Sequence, residues 1–195
     1  MTEAGLTAEQ GLIYEDLLPF IWRPSDSEAS PLDVVKLEAM NEEVLRFIDV
    51  LDEHPSESTI EHASLNQELA KVDVKFDLLL SLVTQLLGIY FPLPKPVQVK
   101  LTPSSVHWVS RESIVPGTNG QVEIFLSSRY PRPLVFFAEV ERSDEHGHEY
   151  RVSAQFGEVS DFIRERLEKM IFRHHRRGVA LARRKLVNET DEPCP

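Results

Sequence analysis

Hydrophobic positions change period partway along this chain. As far as residue 92 they recur in steps of three and four, the spacing of one side of a helix; from residue 97 they alternate with polar residues, the spacing of a strand. Residues 1–30 hold a short amphipathic piece around Leu12, Ile13, Leu17, Leu18, Phe20 and Trp22, followed by a loop rich in Ser, Pro and Asp. Ser30, Pro31 and Asp33 then read as a helix start. They supply a capping hydroxyl, a proline where no amide hydrogen is required, and an acid at the positive end of the dipole. Leu37, Met40, Val44, Phe47 and Leu51 follow in steps of 3, 4, 3 and 4, which predicts one apolar seam. Pro55 interrupts the helix, and Ser58 with Glu61 makes a capping box for the next.

That next helix carries the clearest periodicity in the chain. Leu65, Leu69, Val72, Phe76, Leu79, Val83 and Leu86 alternate steps of 4 and 3 without a miss, a 3.5-residue repeat sustained for about three heptads. Glu68, Asp73 and Lys75 flank the seam, and Gly88, Pro92 and Pro94 stop it. Burial of seven such side chains is worth roughly 10–20 kcal/mol gross. Packing on the helix's own domain would cover the seam, as amphipathic helices usually do. The strict 3.5 step and the second seam upstream favour self-association through a coiled coil instead. Leu, Phe and Val at one seam position depart from the β-branched choice that favours dimers. Leu78, Leu80, Leu82 and Leu87 widen the apolar face further, so a tetramer is expected rather than a dimer.

In the second half Val97, Val99 and Leu101 alternate with polar residues, and Val106 and Trp108, with Ile114 further on, continue after a turn. GTNG (117–120) precedes Val122, Ile124 and Leu126; Val135 and Phe137 oppose Phe136, Ala138 and Val140; Tyr150, Val152, Ala154 and Phe156 alternate again. Five or six short strands with turns between them describe a small antiparallel barrel. Ser160 and Asp161 cap a last helix with Phe162, Ile163, Leu167, Met170 and Ile171 on its core face. The fold class is therefore α+β. Its expected parts are an N-terminal segment (1–30), a helical heptad-repeat region (31–92), a barrel with its closing helix (93–178) and a basic, then acidic, tail (179–195).

Composition narrows the chemistry. Of 195 residues 42% are hydrophobic, enough for a core, and the single cysteine, Cys194, excludes a disulfide framework or a thiolate zinc cluster. No glycine-rich phosphate loop, GxSxG elbow or HExxH pair is present, so no enzyme is expected. His146 and His148 flank a turn glycine without a third ligand at telling spacing, so neither metal nor cofactor is expected. The apolar stretch 78–91 is too short and too polar to span a membrane, and the acidic first residues are unlike a signal peptide. The expected location is cytoplasmic. The net charge is −11, which argues against general nucleic-acid binding. Its distribution says more: residues 1–92 hold 5 basic and 18 acidic side chains, a net of −13, whereas residues 162–185 hold 9 basic and 2 acidic.

The second half resembles a PilZ domain over residues 93–178. The likeness rests on strand order and hydrophobic spacing, with AEVER (138–142), YRVSAQF (150–156) and FIRERLEKMIFRHHRRG (162–178) in register. The opening GLIYEDLLPFIWRP (11–24) is similar to the start of some longer bacterial PilZ proteins. The resemblance implies a six-stranded barrel, and in many members a receptor for cyclic di-GMP acting on motility, biofilm and virulence machinery. Such receptors carry Arg-x-x-x-Arg before the first barrel strand, where guanidinium forks stack on guanine and grip phosphate. Here FPLPKPVQVK (91–100) offers only Lys95 and Lys100. They also carry Asp/Asn-x-Ser-x-x-Gly after that strand; the matching positions are Thr102, Ser104 and His107.

With both motifs degenerate, the expectation is a noncatalytic signalling adaptor. It would assemble with itself, act on an unidentified protein partner, and lack the family's usual mode of cyclic di-GMP binding. The alternative is a receptor with a substitute arginine set, Arg173, Arg176 and Arg177, in a basic run that also includes Arg183, Arg184 and Lys185. That run also suits a solvated helix end complementing the dipole, or docking on a neighbouring subunit's acidic half.

Overall fold

The computed structural model describes residues 13–25, 30–52, 63–127 and 130–190. In chain order the elements are β1 (Tyr14–Pro24), α1 (Pro31–Asp52), α2 (Ala63–Tyr90), β2 (Pro96–Leu101), β3 (Ser105–Ser110), β4 (Asn119–Ile124), β5 (Leu134–His146), β6 (Glu149–Phe156) and α3 (Asp161–Thr190). The six strands close into one antiparallel barrel in the order β1-β2-β3-β6-β5-β4. No helix among the described residues is long and apolar enough to cross a membrane.

The barrel's first strand does not come from residues 93–178. The N-terminal amphipathic piece supplies it: β1 pairs with β4, Phe20 opposite Ile124 and Trp22 opposite Val122. Tyr14, Leu18 and Phe20 are buried on one side of it. Other boundaries also shift. β3 ends at Ser110, before Ile114, and β4 ends at Ile124, before Leu126. β5 runs on to His146, so most of the expected hairpin connection is itself strand, closed by Gly147 at φ 68°. A bulge between Val140 and Arg142 lets Glu141 stand out of the ladder.

By its contacts the chain divides into two compact units. One comprises Met1–Asp16, Gln98–Thr118 and Ala138–Pro195. Its core holds Val99, Leu101, Val106, Trp108, Val140, Val152 and Ala154, with Ile163, Leu167, Met170 and Ile171 from α3. Phe162, expected on the core face, is 47% exposed; its neighbour Ile163 takes the buried position. The ring of Tyr14 lies 3.9 Å from that of His174 and ties the start of β1 to α3. The helix continues past the expected limit of 178 to Thr190.

The other unit comprises Leu17–Val97 and Asn119–Phe137. Its core holds Leu18, Phe20, Val122, Ile124, Leu134 and Phe136, with Val44, Leu45 and Ile48 from α1. Asn41 is buried in the same row, whereas Met40 is exposed. The inward face of α1 is therefore rotated from the seam 37-40-44-47-51: a buried amide reads as polar in a hydrophobicity pattern and disguises the true stripe. Ser30 caps α1 as expected, its Oγ accepting from Asp33 N at 3.2 Å.

Candidate functional site

Three places carry the functional expectations. The first is the turn between β2 and β3. Thr102 Oγ1 accepts the backbone N–H of Ser105 at 2.9 Å and of Ser104 at 3.3 Å, and lies 2.8 Å from Ser105 Oγ. The Ser104 carbonyl accepts from Phe156 N at 2.8 Å. Thr102 thus does for this turn what a side-chain oxygen does at a helix cap, satisfying backbone donors that would otherwise face outward. Its hydroxyl is occupied by the turn.

Next to the turn, Lys100 Nζ meets Glu15 Oε2 at 3.2 Å, and Glu15 Oε1 accepts from Gln98 Nε2 at 3.1 Å. Glu15 came from the N-terminal strand and gave no local signal in the sequence. His107 stands opposite Lys100 across β2–β3 and opposite Ser153 across β3–β6. Its pKa lies below the ordinary imidazole value, because burial disfavours the charged ring and Lys100 and Arg142 repel it, outweighing the attraction of Glu141. Lys95 is exposed just before β2. The degenerate motif positions Thr102, Ser104 and His107 therefore lie together at one end of β2–β3, but as a self-satisfied turn and a cation-flanked imidazole.

The second place is α2. Its seam residues Leu69, Val72, Phe76, Leu79, Val83 and Leu86 are all 51–64% exposed in a single chain. The side chain of Leu65 falls outside the described residues. Asp73 and Lys75 are exposed beside the seam.

The third place is α3. Arg173, Arg176 and Arg177 lie within one turn; Arg173 is half-buried next to the His174 ring and the other two are exposed. The Arg176 guanidinium sits 5.8 Å from the Phe172 ring centre, and that of Arg166 sits 4.8 Å from the Phe162 ring centre. Lys169 is bridged to Glu165 at 2.6 Å. The side chains of Arg183, Arg184 and Lys185 fall outside the described residues. Among the described residues, no group of three His, Cys, Asp or Glu is placed to hold a metal ion.

Comparison with known proteins adds to this geometry. No curated protein matches the chain. A crystal structure of a pathogenic protein from Xanthomonas campestris, described as a tetrameric PilZ domain self-assembled via an unusual helical bundle, is 25% identical with a TM-score of 0.72. The match covers 89% of this chain and 93% of that one. A structure of the Bacillus subtilis inhibitor of motility is 15% identical over 41% of each chain, at a TM-score of 0.35 that carries no argument. Residues 45–184 match the family described as atypical PilZ domain, cyclic di-GMP receptor, a span from α1 through most of α3 that takes in β2 to β6 whole. The barrel, its closing helix and that match together place this chain in the atypical PilZ family.

Proposed function

We propose that this protein is a noncatalytic, cytoplasmic signalling adaptor that joins copies of itself, four in number, along α2 and presents several barrels to a protein partner. One observation carries the reading: six seam side chains at a strict 3.5-residue repeat stay more than half exposed in the single chain. Apolar surface on that scale favours association strongly. The bundle-built tetramer described for the Xanthomonas protein supports the same choice of number. Residues 31–92 then act as the assembly region. Clustering the barrels raises their effective concentration for a partner without a tight single site.

The turn chemistry supports an adaptor over a receptor of the usual kind. Thr102 is spent on its own turn, Lys100 is held by Glu15, and no arginine precedes β2 between residues 91 and 95. The seam is tested by light scattering on the wild type and on Leu69→Asp/Phe76→Asp/Val83→Asp. The wild type is expected at four chain masses and the variant at one. A monomeric wild type ends the reading, as does a variant of unchanged mass.

A further inference from the structure

The outward side of the sheet carries a polar row that neither the turn nor the seam uses. Across four neighbouring strands Lys100 on β2 stands opposite His107 on β3, His107 opposite Ser153 on β6, and Ser153 opposite Arg142 on β5. Val99, Leu101, Val106, Trp108, Val152 and Ala154, their neighbours along the strands, are buried, so strand alternation turns the row outward. Arg142 joins it only through the bulge. Had the ladder run on evenly from Val140 opposite Ala154, Glu141 would oppose Ser153 and Arg142 would point into the core; the extra residue re-aims the guanidinium. Among the described residues, no hydrogen bond or ion pair holds the side chains of Ser153 or Arg142.

The donors in the row select its occupant. A guanidinium fork, a hydroxyl and an imidazolium all donate to oxygens, and Lys100 adds a point charge, a set suited to a dianionic phosphate. Two carboxylates face it: Glu141 beside Arg142, and Glu15, which meets Lys100 at 3.2 Å. They do not cancel it, since at His107 the repulsion from Lys100 exceeds the attraction of Glu141 even before Arg142 is added. The flanking outward rows, Val109–Arg151–Asp144 and Ser105–Gln155–Glu139, supply two acids and no aromatic ring. They repel a polyanion and give a nucleotide base nothing to stack on. A sheet face also buries little of a free small molecule, whereas a phosphate carried on a protein is held by its surroundings as well. We infer that the row Lys100–His107–Ser153–Arg142 receives a single phosphate monoester borne on a side chain of the protein partner. The inference deepens the adaptor reading and rests on it. Protonation of His107 strengthens the grip, so binding tightens as pH falls.

The test follows the His107 imidazole by NMR in the full chain, in phosphate-free buffer held at constant ionic strength. Inorganic phosphate, a phosphoserine peptide or its unphosphorylated twin is then added. A dianion beside the ring favours its charged form, so phosphate and phosphopeptide are expected to raise the midpoint by about half a pH unit, and the twin to leave it in place. Arg142→Gln is expected to weaken both by about tenfold and Ser153→Ala by less, while Arg151→Gln, one row away, keeps them. No shift, a shift of the same strength in Arg142→Gln, or a response to inorganic phosphate without one to the phosphopeptide overturns the inference. Cyclic di-GMP, whose phosphates are singly charged diesters, is expected to move nothing. A midpoint that follows the dinucleotide instead of the phosphopeptide is a different failure, that of the adaptor reading itself.

Discussion

The side-chain amide of Asn41 and the peptide group of Val135 clasp each other at two points: Asn41 Nδ2 donates to the Val135 carbonyl at 2.8 Å, and Val135 N–H donates to Asn41 Oδ1 at 2.8 Å. Both residues are buried. Phe47 stacks on Tyr130 with ring centres 4.0 Å apart, and Glu43 meets Arg132 at 2.9 Å, so α1 is fixed along one short stretch of chain. Asn41→Ala leaves a buried donor and a buried acceptor without partners, at about 1–3 kcal/mol each. For a chain of this size that lowers the melting temperature by roughly 5–15 °C. Scanning calorimetry reads it; a fall of under about 2 °C means that α1 is not held by the clasp.

Gly120 is required by close approach. A Cβ built there would lie 2.5 Å from the Arg23 carbonyl oxygen and 2.6 Å from the Trp22 ring, since β1 crosses β4 at that point. Gly120→Ala therefore forces the strands or the indole apart, a cost of about 1–3 kcal/mol. Trp22→Leu in the same chain removes the ring but not the carbonyl, so it restores part of the loss. Urea unfolding of the two variants checks this, and an Ala variant as stable as the wild type would contradict the packing.

How much of this was legible depended on the range of each interaction. The α2 helix could be read directly, because seven apolar residues at one period admit one interpretation. β1 could not: Leu17–Leu18 and Phe20–Ile21 put apolar residues on both faces and Pro19 interrupts them, so neither period stands out. The buried face of α1 was masked by Asn41, whose partner lies 94 residues away. Glu15 with Lys100, and Trp22 with Gly120, are likewise strand-to-strand meetings that leave no local spacing. The Thr102 turn lay in between: the altered motif was visible, but not that its hydroxyl would serve the turn.

His107 gives the protein a measurable pH response. Its folded pKa is depressed, first by burial and then by Lys100 and Arg142, so the unfolded chain takes up the proton at a higher pH than the folded one. Stability from this group is complete above the unfolded value of about 6.5 and is lost as pH falls from there toward the folded value. An NMR titration of the imidazole is expected to give a midpoint below 6.5. Lys100→Met removes one of the repelling cations and moves the midpoint up. A wild-type midpoint at or above 6.5, or one indifferent to Lys100→Met, would sink the assignment.

Cyclic di-GMP separates the adaptor from its alternative. Recognition in the family's usual mode needs paired arginine forks before the first motif strand and a turn open to the ligand. This chain has Lys95 and Lys100 in that stretch, the latter bridged to Glu15; its turn is closed by Thr102; and His107 fills the position of the motif glycine. Titration calorimetry on the wild-type assembly is expected to give no binding at micromolar concentrations of the dinucleotide. Micromolar or tighter binding that disappears in Arg173→Ala/Arg176→Ala/Arg177→Ala would establish α3 as a substitute site and make the protein a receptor. Binding of the same strength that survives those three substitutions but fails on Lys100→Met would return the ligand to the β2–β3 turn. Either outcome overturns the adaptor reading while leaving the α2 assembly intact, because the seam and the ligand positions share no residue.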